Sequence, residues 1–98
     1  MSFIDKNELR ERLLNKFGYY PNNVDIVINK IEAIDPQLQP AFLKWWQSGE
    51  IPAIEIEGYT VGKFMQYYRC NPIASFLNLD WLIREPGKAK KSIEEGIE

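Results

Sequence analysis

Residues 71–84, Asn-Pro-Ile-Ala-Ser-Phe-Leu-Asn-Leu-Asp-Trp-Leu-Ile-Arg, decide how this chain folds. Asn71 is a good N-cap, and Pro72 suits the first helical position, where its missing N–H removes nothing. With about 100° between successive residues of a helix, Ile73, Ala74, Leu77 and Trp81 share one side, and Phe76, Leu79 and Ile83 lie nearly opposite. Polar residues are confined to two narrow strips, Asp80 with Arg84 and Ser75 with Asn78, the second interrupted by Leu82. A helix that is apolar on more than one side belongs in the interior. The remaining elements are therefore expected to wrap it, with Phe76, Leu77, Trp81 and Ile83 buried on opposite faces.

Immediately upstream, Thr60 caps a helix from Val61 to Arg69 in which Val61, Phe64, Met65, Tyr67 and Tyr68 share a face. Before it, Ile54-Glu55-Ile56-Glu57 alternates strictly up to Gly58, the one strand-like pattern in the chain, and predicts an extended segment over residues 53–57. Pro36 and Pro40 cannot both sit in one regular helix, because a proline beyond the first turn forfeits a backbone hydrogen bond. The preceding helix therefore runs from Pro40 to Ser48, with Ala41, Phe42, Leu43, Trp45 and Trp46 as a broad apolar face and Gly49 at its end. Val24, Val27, Ile28, Ile31 and Ile34 repeat at helical spacing until Asp35-Pro36 stops them. Nearest the N-terminus, Asp5 and Glu8 form an Asp variant of the capping box, Ile4 and Leu9 occupy the staple positions, and a helix Lys6 to Phe17 ends at Gly18.

Beyond Arg84, Glu85-Pro86-Gly87 breaks the pattern, and residues 88–98 contain only Ala89, Ile93 and Ile97 as non-glycine apolar residues. Residues 85–98 are thus expected to be a flexible tail, frayed or weakly helical. The expected fold is mainly α: a single compact five-helix domain over residues 1–84 with one short extended segment.

A chain of 98 residues, 45% apolar and 27% charged, has the balance of a globular domain and not of a disordered one. Its formal charge of −2 gives no global attraction for nucleic acid or anionic lipid. The single cysteine, Cys70, cannot form an internal disulfide, and no basic segment followed by an apolar run opens the chain, so a reducing cytoplasm is expected. No stretch approaches membrane-spanning length.

Little in the residues points to catalysis. There is no histidine, the side chain that most often moves protons near neutrality and the commonest metal ligand. Gly58 and Gly62 do not form a phosphate loop, since no Lys-Ser/Thr pair follows. Glu55 and Glu57 would share one side of a strand and could hold a hard cation, but they read more simply as a solvated face opposite Ile54 and Ile56. Cys70 lacks a histidine to activate it. No enzyme activity, cofactor or metal site is therefore expected.

Two binding features remain. Residues 60–84 have the outline of a helix-turn-helix unit and superficially resemble bacterial DNA-binding units over about a quarter of the chain. A recognition helix should present a continuous polar, largely basic face, whereas here an acid, Asp80, stands beside Arg84, so nucleic acid is disfavoured as a partner. The other feature is the lone strand, whose backbone groups need hydrogen bonds that no second alternating segment offers. Ser2 to Ile4, a second copy of the chain, or a strand of another protein could supply them. Trp45 and Trp46, about 100° apart on their helix, are hard for one neighbour to cover. Burial between two neighbours is the commoner outcome, and a surface tryptophan would be a binding anchor. The candidate partner-binding residues are accordingly Ala53, Ile54, Glu55, Ile56 and Glu57, with Trp45 and Trp46, in a protein–protein interaction module that could self-associate through a strand edge.

Overall fold

The computed structural model describes residues 3–96. In chain order these form α1 (Lys6–Asn15), α2 (Pro21–Glu32), α3 (Gln39–Ser48), β1 (Glu55–Ile56), β2 (Tyr59–Thr60), α4 (Val61–Tyr67), α5 (Pro72–Arg84) and α6 (Pro86–Gly96). The fold is mainly α as expected, with six helices among the described residues instead of five. The chain divides into two compact units, one running through Ile34 and one starting at Asp35.

In the first unit α1 and α2 pack together as a helical hairpin. Asp5 caps α1, its Oδ1 accepting from the N–H groups of Asn7 at 2.8 Å and Glu8 at 3.3 Å. Glu8 does not reach back to complete the box; its carboxylate pairs with Arg12 one turn on, at 2.9 Å. Ile4 and Leu9 are both buried, as a hydrophobic staple requires. Leu9 and Leu13 of α1 and Val24, Ile28 and Ile31 of α2 carry the apolar contact. α2 starts at Pro21, three residues before the first β-branched residue of its stripe, because proline at the first position already holds a helical φ. Lys6 with Glu32 and Arg10 with Asp25 tie the two helices at the surface.

The second unit opens with a turn in which Asp35 Oδ1 accepts from Gln37 N–H at 2.9 Å. α3 follows and ends at Gly49, whose φ of +78° is costly for any side-chain-bearing residue. Phe42 is the centre of an aromatic cluster, with ring centroids 5.0 Å from Phe76, 5.5 Å from Trp45 and 6.1 Å from Trp46. Trp45 and Trp46 are only 7% and 6% exposed. Neither lies at the surface, which is the burial given as the commoner outcome for this pair, and the alternative of a surface anchor is not found.

The extended segment finds its partner locally. Glu55 pairs with Thr60 and Ile56 with Tyr59 in an antiparallel ladder. The two residues between, Glu57 and Gly58, both have positive φ, +52° and +84°, the signature of a type I′ turn. Phe3 and Ile4 are bends and not a strand, and Ser2 lies outside the described residues. Of residues 53–57 only Glu55 and Ile56 are strand; Ala53 and Ile54 precede it and Glu57 is turn.

Thr60 ends β2 and at once caps α4, its Oγ1 accepting from Lys63 N–H at 3.0 Å. Asn71 caps α5 in the same way through Ala74 N–H at 2.8 Å. α5 buries Ile73, Ser75, Phe76, Leu79 and Leu82, an arc of about half its circumference. Leu77, Trp81 and Ile83 are half-buried, so the two equally buried opposite faces expected for this helix are not found. Trp81 Nε1 instead donates to Glu85 Oε2 at 3.1 Å, which keeps its polar edge at the solvent boundary. Residues 86–96 form a regular helix and not a frayed tail. Ala89 and Ile93, one turn apart and both buried, seat it in contact with α5, and the proline at its first position starts it without loss of a hydrogen bond.

Candidate functional site

The hairpin, α4 and α6 surround an open groove of about 540 Å³. The hairpin contributes Glu57, Gly58 and Tyr59. The α4 segment contributes Lys63, Tyr67 and Tyr68, and α6 contributes Lys90 and Glu94. Two of the lining tyrosines rest against Phe64, which is buried. Tyr59 stacks on Phe64 with centroids 5.3 Å apart and planes inclined by 23°, and Tyr68 lies against its ring, also at 5.3 Å. Tyr67, by contrast, is 65% exposed.

The charges of the groove are of both signs. Lys63 Nζ donates to the Gly58 carbonyl at 2.9 Å and lies 6.0 Å from the centroid of Tyr59, a cation–π contact at the outer limit of useful distance. Lys90 Nζ pairs with Glu57 Oε2 at 3.5 Å and so ties α6 to the hairpin tip. Glu94 has no ion pair or hydrogen bond among the described residues. Burial pushes the Tyr68 phenol above its ordinary value, helped by the adjacent Tyr59, by a side-chain hydrogen bond with Tyr59 and by the Glu94 charge. Tyr68 is therefore a neutral hydrogen-bonding phenol throughout the physiological range.

Of the residues expected to contact a partner, only Glu57 lies on this groove. Ala53 and Glu55 are exposed, Ile54 is half-buried and Ile56 is buried. Glu55 and Glu57 do not line one strand face, because Glu57 has turned into the left-handed region and engages Lys90. No group of three His, Cys, Asp or Glu residues that could hold a metal ion occurs among the described residues.

The polar strips of α5 serve packing. Ser75 is buried and its hydroxyl donates to the Asn71 carbonyl at 3.0 Å. Asp80 accepts from the Asp35 N–H at 2.8 Å through Oδ1 and from Arg84 Nε at 2.9 Å through Oδ2. Cys70 is half-buried, its thiol lies 3.7 Å from the Tyr68 carbonyl, and burial pushes its pKa up, the opposite of what a nucleophile needs.

Tyr59, Tyr67, Tyr68, Lys63, Lys90 and Glu94 were not among the sequence candidates. A signal for the hairpin does exist, a two-residue Glu-Gly step between Ile56 and Tyr59. It lacks the Asn or Asp that usually marks such turns, and the helix-capping role of Thr60 conceals the second strand. Lys90 and Glu94, four residues apart on α6, have no sequence link to the hairpin at all. No family model, curated protein or solved structure matches this chain. No helix among the described residues is long and apolar enough to cross a membrane.

Proposed function

We propose that the protein is a small protein–protein interaction module whose contact surface is the β1–β2 hairpin with its adjoining groove. The observation that carries this reading is the groove itself: three tyrosines, two of them fixed against Phe64, beside side chains of both charge signs. Tyrosine offers a large amphipathic contact area with little conformational entropy to lose and is over-represented among binding hot spots. A lining with two lysines and two glutamates suits a polypeptide, which carries both signs, better than a polyanion. The hairpin adds backbone groups. Ile56 and Tyr59 are the hydrogen-bonded pair next to the turn, so the following pair, Glu55 and Thr60, is the non-hydrogen-bonded one and the Glu55 N–H faces away from the ladder. An added strand, from a second copy or from another protein, would be received on that edge. Burial raises the Cys70 pKa, which suits a passive thiol better than a nucleophile, and the lone thiol suits a reducing cytoplasm. The helix-turn-helix alternative is weakened by Ser75 and Asp80, whose polar atoms serve the fold.

Sedimentation equilibrium and partner capture, run on the wild type and on Glu55→Pro, test the proposal. The proline removes an outward N–H without breaking the β1–β2 ladder, so association should weaken while folding persists. Equal association of the two proteins would remove the strand edge from the contact surface. Sequence-selective DNA binding near physiological salt, many-fold tighter than nonspecific binding, would replace the proposal with the regulator alternative.

A further inference from the structure

We infer that the groove receives the guanidinium of an arginine side chain carried by the partner polypeptide. This rests on the interaction reading above and names the chemistry of its contact. Four charged side chains line the groove, and three are already engaged. Lys90 and Glu57 neutralise each other at 3.5 Å, and Lys63 is directed at the Gly58 carbonyl and the Tyr59 ring. Glu94 alone has no charge or hydrogen-bond partner among the described residues, and it stands close enough to Tyr68 for its charge to be felt by the phenol. An incoming cation thus meets the one lining carboxylate that no lysine pairs, with the Lys63 charge drawn to the Gly58 carbonyl, beside tyrosine rings whose faces are electron-rich. The position of Lys63 near the Tyr59 ring is the intramolecular counterpart of that contact.

A guanidinium fits better than an ammonium. It is planar, stacks on aromatic faces, and presents two parallel N–H groups to a carboxylate such as Glu94. The volume, about 540 Å³, exceeds what one side chain fills, and leaves room for the backbone on either side of the arginine.

The test is a titration of the full chain with N-acetyl-arginine-methylamide, its neutral isostere N-acetyl-citrulline-methylamide, and N-acetyl-glutamate-methylamide, followed by NMR of the tyrosine ring protons. The arginine compound should shift Tyr59, Tyr67 and Tyr68 saturably with millimolar affinity, and the other two should shift them more weakly. Glu94→Gln should weaken the arginine compound about two- to fivefold, the size of one partly solvated ion pair, and Glu94→Asp should retain the preference. Lys63→Met should leave the affinity unchanged or raise it, since a like charge is removed. Equal responses to arginine and citrulline, a preference for glutamate lost in Lys63→Met, or no saturable shift would each overturn the inference. Partner capture separates it from the broader proposal. Undiminished capture by Glu94→Gln would refute the arginine contact alone, whereas undiminished association of Glu55→Pro would count against the strand edge alone.

Discussion

The two leucines at 77 and 79 of α5 make a controlled comparison, because the same truncation is applied to one helix two residues apart. Leu79 is fully buried and Leu77 is half-buried. Leu→Ala at a buried site costs about 2 to 5 kcal/mol, the spread reflecting the cavity left behind. Leu79→Ala is therefore expected to cost about 3 kcal/mol, and Leu77→Ala, with half the side chain already in water and no enclosed cavity, about half as much. With a urea slope of about 1.5 kcal/mol/M for a protein of this size, the midpoints should fall by roughly 2 M and 1 M. Trp45, Trp46 and Trp81 all lie in the second unit, so tryptophan emission follows the unfolding of the unit that contains both substitutions. Only the midpoint should be compared, since Leu77 precedes Trp81 by one turn and its loss will change the emission baseline. A midpoint shift for Leu77→Ala as large as that for Leu79→Ala would refute the assignment of the buried arc to Ile73, Ser75, Phe76, Leu79 and Leu82.

Asp80→Ala should cost about 1 to 2 kcal/mol in the same urea assay, because it strands the part-buried Asp35 N–H, whereas Arg84→Ala leaves that hydrogen bond in place and should cost less. Gly58→Ala should lower stability by about 1 kcal/mol through its left-handed φ, read as a drop of several degrees in thermal midpoint; an unchanged midpoint would mean the turn is not type I′. Cys70 should react with a disulfide reagent at pH 7.5 more slowly than a free cysteine peptide, since a raised pKa lowers the thiolate fraction, and the rate should rise to the peptide value in urea. A native rate equal to the peptide rate would show the thiol to be unperturbed.

Where local chemistry alone decides, the residues announce the structure. Asp5, Thr60 and Asn71 cap the helices they were expected to cap, and Gly49 ends α3. The departures arise where a distant neighbour decides. α6 has a sparse apolar pattern, and it is α5 that turns Ala89 and Ile93 into a sufficient docking stripe. Angular position along α5 ranks Leu77 beside Ile73, but only packing shows which of them is enclosed. Ser75 looks like a surface residue until its hydroxyl is satisfied by the Asn71 carbonyl four residues earlier. The groove was the least legible feature, because it is assembled from three elements and its most telling carboxylate, Glu94, lies in a stretch that reads as tail. The strand does need a hydrogen-bonding partner, and the partner lies three residues on, at Tyr59, and not in a distant segment.

Thr60 has a mechanical consequence. It is at once the last residue of β2 and the N-cap of α4, so no flexible linker separates sheet from helix. The hairpin tip and the first turn of α4 are held together a second time by Lys63, whose Nζ donates to the Gly58 carbonyl at 2.9 Å. The edge strand that carries Glu55 is thus continuous, through Tyr59 and Thr60, with the helix that brings Lys63, Tyr67 and Tyr68 to the groove.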